Sequence, residues 1–410
     1  MWCFGITSSK PIEAAGFIIM ALAVVARLSQ TSVRGLYGSL LRSPVLWCLL
    51  AWAALVSAST LWHGTSGPPQ RLGWLPDRDI LVPFLLWPLV HRWRVLLGAL
   101  VLGALAQSAM LVAATVSARQ AGTMLTPATL PSRFGAYQLA LAIGVLAAAP
   151  LLVPRLFSWA GIASSIALLI LATGELLQTQ RGGVFGSVMG LLVVSVAAIR
   201  ARPQRALARL APLIVILAAL GATAVYVDLT SPVVERLETK SSGFWPLTDG
   251  KAIEYRSINT FTGSRLALTD AACSLIMQAP LFGHGEGDWG PSMKAWAEAN
   301  PESPALKTSG NALTGAGSCH NTLLHAAFVG GIPAAIALGL TVPLALFALV
   351  RSRATRSMGG IAVAGGLVAT ATVGLTIVAT SLSSVSMGLM LMLTLAMAMS
   401  SPTREAGELP

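Results

Sequence analysis

Long runs of apolar residues constrain the fold of this 410-residue chain more than any other feature. We count eleven runs, most of them near the ~20 residues that a helix needs to cross a bilayer. The runs lie at 11–28, 44–61, 79–91, 95–117, 134–153, 156–178, 183–199, 210–228, 321–350, 359–380 and 382–400. Only 10% of the residues are charged, against about 25% in a soluble globular chain. The sequence therefore predicts an all-α polytopic membrane protein, with residues 1–410 as one integral domain. The third run is short, and its Pro83 and Pro88 predict a kinked or partly re-entrant segment.

Basic residues are distributed unevenly between the two alternating sets of short loops. One set holds thirteen of them and no acidic residue: Arg27, Arg34, Arg42, Arg92, Arg94, Arg155, Arg200, Arg202, Arg205, Arg209, Arg351, Arg353 and Arg356. The other set holds five: Arg71, Arg78, Arg119, Arg133 and Arg181. The positive-inside rule places the first set in the cytoplasm and accounts for most of the net charge of +11. The bilayer is therefore a predicted partner and nucleic acid is not. Parity places the N-terminus outside, unless a twelfth span before Ser43 brings both ends inside.

One long polar segment, residues 229–320, interrupts the apolar runs and contains nine of the sixteen acidic residues. The orientation predicts that it is a large loop outside the membrane, which is a periplasmic loop if the family resemblance given below holds. Part of it is predicted to be helical, because residues 264–278 have an amphipathic pattern with Ser264 as a plausible N-cap. The apolar face of this helix is predicted from Leu266, Ala267, Cys273, Leu275 and Ile276. Cys273 could pair with Cys319 in an oxidising compartment, and two free thiols are equally consistent with the sequence.

Arginines on the outside oppose the orientation bias, so an external anionic ligand is one explanation for them. Arg181 lies beside Gly182 and Gly183 between two spans, where a guanidinium can bind an anionic group bidentately. The alternative is an arginine that extends to the membrane surface from a helix end. Arg265 lies in the first turn of the predicted loop helix. Glu175 is an acidic residue at membrane depth, and we expect it to pair with Arg181 or another outside arginine.

His320 lies where an apolar run begins, which would fix its distance from the membrane surface. A histidine titrates near neutrality and can take a proton from a hydroxyl nucleophile, although an interfacial histidine without a catalytic part fits the spacing too. His325 follows five residues later, about 140° around a helix, so the two would not share a metal ion.

Two acidic clusters contain residue types that can bind a metal ion. His284, Glu286 and Asp288 alternate within a glycine-rich stretch, which is more typical of a turn than of a ligand set. Asp77 and Asp79 resemble the acidic pair of many glycosyltransferases, but Asp79 can simply cap the following helix. The sequence therefore predicts neither a metal nor another cofactor.

Several motifs between about 175 and 335 together resemble the O-antigen ligase and polymerase superfamily of bacterial envelopes. They are Arg181-Gly182, Ser264-Arg265 followed by a helix, Pro280 to Gly285, His320-Asn321 and Gly330-Gly331. The resemblance implies a GT-C-like glycosyltransferase of the inner membrane with about 11–12 transmembrane helices and a site facing the periplasm. Such an enzyme moves a glycan from undecaprenyl diphosphate to an acceptor, with inversion and without a metal.

The resemblance also implies roles for individual residues. His320 would be the base, Arg181 and Arg265 would hold the diphosphate, and Arg133 and Asn321 would contact substrate. The single dominant loop ending in a histidine favours a ligase whose acceptor is the lipid A-core oligosaccharide. Arg133 and Gly144 have ten residues between them, and this spacing is associated with the polymerases of the same superfamily.

Three other functions stay open on the sequence alone. An O-antigen polymerase or a protein O-oligosaccharyltransferase would share the chemistry and differ in the acceptor. A transporter or flippase for an anionic lipid is an alternative of another class. Transporters usually show repeated halves and ionisable groups at the midplane, and this sequence shows neither pattern.

Overall fold

The computed structural model describes the greater part of the chain. The described residues are 3, 10–27, 37–63, 78–120, 135–153, 158–177, 181–204, 210, 265–309, 318–376 and 383–401. All regular secondary structure in these ranges is helical. Together with the apolar composition of the helices, this confirms the predicted class, an all-α polytopic membrane protein.

Fourteen α-helices are labelled here in chain order within the described ranges. They are α1 Lys10–Arg27, α2 Pro44–His63, α3 Val82–Leu86, α4 Trp93–Gln120, α5 Gly135–Leu146, α6 Ala148–Leu152, α7 Trp159–Leu177, α8 Arg181–Ala201, α9 Arg265–Gln278, α10 Trp289–Ala299, α11 Pro304–Ser309, α12 Thr322–Arg351, α13 Met358–Gly374 and α14 Ser383–Ser400. Ten of the eleven predicted runs coincide with these helices, and the run at 210–228 lies outside the described residues. Among the described residues, four segments are long and apolar enough to cross a membrane: Pro44–His63, Asp79–Ser117, Gly182–Ala201 and Thr322–Arg351.

The short third run is broken, as its prolines predict. A 3-10 turn over Arg78–Leu81 leads into α3, and a second 3-10 turn over Trp87–Arg92 leads into α4. A 3-10 helix rises about 2.0 Å per residue against about 1.5 Å for an α-helix. The two 3-10 turns therefore let a run of few residues cover more of the membrane thickness than one α-helix of equal length would.

Glycines let three helices pack closely in the middle of the bundle. Gly182, Gly186 and Gly190 recur every four residues along α8 and face α13. A Cβ on Gly186 would lie 2.8 Å from the Ala369 carbonyl oxygen, and one on Gly144 of α5 would lie 2.7 Å from the Gly365 carbonyl oxygen. Small residues at this spacing are typical of membrane helix pairs, because they let backbones approach. Gly144 is therefore explained by helix packing.

Helix α12 is not one straight span, because the chain folds back at Gly331. This residue has φ 81° and ψ 171°, which is outside the helical region. Leu323, eight residues before it, contacts Gly339, eight residues after it: a Cβ on Gly339 would lie 3.6 Å from Leu323 Cδ2. Residues 16 apart on a straight α-helix are separated by about 24 Å. The predicted run 321–350 is thus two arms, a first arm over 322–330 and a second arm over 332–351.

The glycine-rich segment 280–287 binds the backbone groups that this break leaves without helical partners. His284 N–H donates to the Phe328 carbonyl (2.7 Å), Gly285 N–H donates to the Val329 carbonyl (3.0 Å), and Ile332 N–H donates to the Pro280 carbonyl (2.7 Å). A Cβ on Gly283 would overlap the Val329 carbonyl. Buried backbone groups in a membrane protein need such partners, so the segment stabilises the fold-back.

Helix α9 forms within the long loop, close to the predicted boundaries, and packs against α10, α11 and α12. Its buried face is Ala267, Leu268, Ala271, Ala272, Leu275 and Ile276. The predicted apolar face is therefore wrong at Cys273, which is exposed. It faces outward because Ala272 and Leu268, rather than Cys273, continue the i, i+3, i+4 pattern of the buried alanines. Ser264, the predicted N-cap, lies outside the described residues.

Candidate functional site

The end of α13 connects two of the candidate residues. The Leu375 carbonyl accepts a hydrogen bond from Asn321 Nδ2 (3.2 Å), and the next carbonyl, Thr376, accepts one from Arg265 Nε (3.3 Å). Arg265 belongs to the loop helix α9 and Asn321 precedes α12, so two adjacent carbonyls join segments that are 56 residues apart in the chain. Arg265 is half-buried, and this bond uses one of the five N–H donors of its guanidinium.

Arg181 is brought to the same place through the backbone of α8. This helix begins at Arg181, and the next residue, Gly182, packs against Thr376 and Tyr137. A Cβ on Gly182 would lie 3.3 Å from Tyr137 Cε1 and would overlap the Thr376 hydroxyl. The glycine therefore serves close helix packing, whereas the sequence suggested that it gives an anion access to the arginine. The structure describes the backbone of Arg181 and not its side chain.

His320 has an unusual backbone conformation beside this contact. Its φ is +53°, in the left-handed region that histidine, asparagine and aspartate occupy more often than other non-glycine residues. Asn321 then caps α12, because its Oδ1 accepts from Leu323 N–H (2.9 Å) and Leu324 N–H (3.1 Å). The turn and the cap together fix the backbone at His320, and the side chain of this residue is exposed.

The electrostatic surroundings of His320 favour its neutral form. Desolvation by the surrounding protein lowers the pKa of the imidazole below its ordinary value of 6.5, and the positive charge of Arg265 lowers this pKa further. A neutral imidazole is the form that can accept a proton. The same Arg265 charge acts on the Tyr137 hydroxyl, so His320, Arg265 and Tyr137 share one electrostatic environment.

Cys319 supports the turn from the inside. Its side chain is buried, its Sγ donates to the Asn321 carbonyl (3.3 Å), and burial raises the pKa of its thiol to about 12. Cys319 and Cys273 are both free thiols in the structure, although Cys273 is close enough to influence the Cys319 pKa.

Glu175 lies near the same end of the bundle and differs from the expectation of an ion pair. It is buried in α7, and its carboxyl oxygens have no hydrogen-bond or salt-bridge partner among the described side chains. The Glu175 carboxyl is close enough to the Tyr137 hydroxyl to interact with it electrostatically. Pairing with Arg181 stays a prediction, because that side chain is not described.

The side chains of His284, Glu286 and Asp288 in the glycine-rich segment contact other parts of the protein. The His284 ring stacks on Phe328 with centroids 4.7 Å apart, and its Nε2 is 2.8 Å from the Leu275 carbonyl. Asp288 accepts from the Ser292 hydroxyl (2.8 Å), and Glu286 lies 4.0 Å from His325. No group of three potential metal ligands occurs among the described residues. Asp79 is buried in the first 3-10 turn, whereas Asp77 and Arg133 lie outside the described ranges.

Comparison with known families gives the context for this arrangement. Residues 166–339 match a family model described as O-antigen ligase. The match covers 174 of the 410 residues and supports an O-antigen ligase/polymerase superfamily member. Comparison with curated proteins found no match. The family match and the apolar helices point to a membrane protein, and the match supports a ligase- or polymerase-type function in general.

The family match contains every residue that the structure gathers at this site except three. Arg181, Arg265, His320 and Asn321 lie within the match, whereas Tyr137 and the Leu375–Thr376 pair lie outside it. Sequence reasoning missed Leu375 and Thr376 because they lie inside an apolar run and contribute mainly backbone carbonyls. No compositional signal marks such a carbonyl, so only the folded chain could reveal it.

Proposed function

We propose that the protein is an O-antigen ligase, which transfers O-antigen glycan from undecaprenyl diphosphate to the lipid A-core oligosaccharide. The transfer takes place on the periplasmic side of the inner membrane. The observation that carries this proposal is the meeting of His320 and Arg265 beside the Leu375 and Thr376 carbonyls, next to the start of the Arg181 helix. A neutral histidine and fixed positive charge are the groups that glycosyl transfer from a diphosphate requires.

The proposed reaction is a single displacement. His320 takes the proton from the acceptor hydroxyl while the hydroxyl oxygen forms a bond to the anomeric carbon of the glycan. The bond from that carbon to the diphosphate oxygen breaks, so the anomeric configuration inverts. The diphosphate leaves with the bonding electron pair, and Arg265 and Arg181 stabilise its negative charge. In this proposal the two guanidinium groups supply the charge stabilisation, and the reaction proceeds without a metal ion.

Asn321 has a positioning role in this proposal. Its amide oxygen caps α12 and its amide nitrogen binds Leu375, so both ends of the side chain hold the turn that carries His320. Arg133, predicted to contact substrate, stays a prediction because it lies outside the described residues.

The test uses purified protein with a polyprenyl diphosphate-linked glycan and lipid A-core acceptor. His320→Asn removes the base but suits the left-handed backbone, so the fold should be retained. We expect transfer to fall by at least about 100-fold with donor binding unchanged, since general base catalysis contributes about that much or more. Arg265→Ala and Arg181→Ala should instead weaken donor binding. Normal transfer by His320→Asn would contradict the base assignment.

The choice of acceptor separates this function from its alternatives. A ligase joins the glycan to lipid A-core, whereas a polymerase joins it to a second lipid-linked glycan and an oligosaccharyltransferase joins it to protein. Supplying each acceptor separately to the same preparation decides among them. Movement of intact donor across a vesicle membrane without any product would indicate the transporter alternative.

A further inference from the structure

An apolar pocket lies in the angle between the two arms of α12. It has a volume of about 280 Å³, and its other walls are formed by α13 and by Leu389 of α14. We call it the interhelical pocket, and its residues are Thr322, Leu323, Leu338, Gly339, Thr341, Val342, Pro343, Val368, Thr370, Ala371, Thr372, Gly374, Leu375 and Leu389. The chain folds back at Gly331, so the two arms lie side by side. The pocket is the space between these arms and α13.

The pocket begins at the candidate site. Thr322 and Leu375 line it, and they are the neighbours of Asn321 and Thr376. The hydrogen bond from Asn321 to the Leu375 carbonyl therefore lies at the end of the pocket, and the Arg265 bond to Thr376 is one residue further along. The end of the pocket at Thr322 and Leu375 is therefore the end nearest to Arg265.

The lining of the interhelical pocket suits a hydrocarbon chain better than a sugar. Two of its threonines use their hydroxyls internally: Thr341 donates to the Leu338 carbonyl (2.7 Å) and Thr370 donates to the Gly366 carbonyl (2.8 Å). Most of the remaining lining side chains are aliphatic or absent. A glycan buried here would lose hydrogen bonds to water and find few replacements, whereas a hydrocarbon chain would not.

We propose that the interhelical pocket binds the first isoprene units of the donor's polyprenyl chain. This inference rests on the proposed function and concerns the same site. In the donor, the hydrocarbon is bonded directly to the diphosphate, so it must begin within a few ångströms of the groups that hold the phosphates. In the acceptor, an oligosaccharide separates the acyl chains from the reacting hydroxyl. A pocket that opens beside Arg265 therefore fits the donor lipid.

Two glycine variants form a matched pair for the test. Gly339→Phe places a ring in the pocket, because Leu323 at 3.6 Å is the only described residue near a Cβ on Gly339. Gly98→Phe adds the same side chain to an exposed face of α4, where no atom of the described residues lies within 4 Å of the Cβ position. We expect Gly339→Phe to raise the KM for the donor about tenfold, the loss expected when about two CH₂ groups are excluded from the pocket. The KM for the acceptor should not change, and Gly98→Phe should behave like the unaltered protein.

A second measurement needs no variant and no transfer. The unaltered protein is mixed with a polyprenyl diphosphate that carries a diazirine on its second isoprene unit, irradiated and digested. We expect crosslinks within 338–343 and 368–375, removed by excess undecaprenyl diphosphate and not by excess lipid A. Crosslinks elsewhere, or competition by lipid A alone, would overturn the inference. A higher acceptor KM in Gly339→Phe, with the donor KM unchanged, would also overturn it.

The two measurements separate this inference from the proposed function. A protein that crosslinks in the pocket but forms no product with any acceptor contradicts the function and leaves the lipid pocket standing. A protein that transfers glycan while its crosslinks lie elsewhere contradicts the pocket alone.

Discussion

His320 occupies a left-handed backbone conformation that costs an L-residue roughly 1–2 kcal/mol, so its neighbours must hold it there. Asn321 holds it from one side through the helix cap and the bond to Leu375. Cys319 holds it from the other side through burial and its bond to the Asn321 carbonyl. Strained residues of this kind cluster at functional sites, which agrees with a catalytic part for the imidazole.

The pH dependence of transfer should report the charge of Arg265. Desolvation by nearby protein groups and the charge of Arg265 both lower the pKa of His320, so kcat should fall only when the pH drops below 6.5. Arg265→Gln removes the positive charge that disfavours the imidazolium, so the pKa should rise and the acid limb should move to higher pH. The measurement is the kcat–pH profile at saturating donor. Arg265→Lys keeps the charge and serves as the control. An acid limb in Arg265→Gln that coincides with that of the unaltered protein would contradict the proximity of the two side chains.

Helix α8 places its first residue through a stripe of glycines. Gly182, Gly186 and Gly190 press against α13 along its length, and the contact at Gly182 lies directly beside Thr376. The register of α8 against α13 therefore sets where Arg181 begins relative to Arg265. Close packing of this kind leaves no space for a methyl group where the backbone of the partner helix is in contact.

Alanine at the middle of this stripe should destabilise the protein. A Cβ in Gly186→Ala would lie 2.8 Å from the Ala369 carbonyl and 2.7 Å from Val373 Cγ2, so a backbone has to shift. We expect a loss of about 1–3 kcal/mol of stability, measured as a lower Tm in detergent. In Gly98→Ala the Cβ has no atom of the described residues within 4 Å, so the Tm should be unchanged or slightly higher. Equal Tm values for the two variants would mean that α8 and α13 are not closely packed.

The broken helix α12 explains two of the sequence motifs together. The segment 280–287 and the Gly330-Gly331 pair are 43 residues apart at their nearest ends. The segment exchanges hydrogen bonds with the residues that flank the pair, and glycines on both sides leave space for the close contact. Both are required for the fold-back that creates the interhelical pocket. This element-scale contact therefore connects a loop motif to the proposed lipid site.

The molecule as a whole gathers its candidate residues at one end of the bundle. The start of α8, the end of α13, Arg265 and His320 meet there, while at the opposite end Trp93 packs against Gly359 at the start of α13. The basic loops that the positive-inside rule assigns to the cytoplasm include Arg92 and Arg94, which adjoin Trp93. The site thus lies at the end that the charge distribution predicts to be outside.

A thiol-labelling experiment tests this orientation and the packing around His320. Cys273 is exposed and Cys319 is buried with its thiol pKa raised to about 12. In variants that keep only one of the two cysteines, a membrane-impermeant maleimide added outside intact spheroplasts should label Cys273. It should label Cys319 only after denaturation, because a buried neutral thiol is unreactive. Labelling of Cys273 only after the membrane is opened would reverse the proposed orientation.

The sequence by itself determined the class of fold and the positions of most of the apolar helices. Apolar runs of sufficient length have no other stable arrangement in a bilayer than helices, so they required little tertiary information. It also indicated Arg181, Arg265 and His320, because a charged or titratable side chain at a helix end is visible in the sequence. The kink of the third run followed from its prolines in the same way.

Tertiary structure alone decided how these parts meet. The fold-back at Gly331, the seam of glycines between α8 and α13 and the outward position of Cys273 depend on which helix lies opposite, and a single sequence does not contain that information. The Leu375 and Thr376 carbonyls and the pocket beside them are the clearest case. They are backbone groups and empty space, and neither has a residue type by which it could be recognised before the chain is folded.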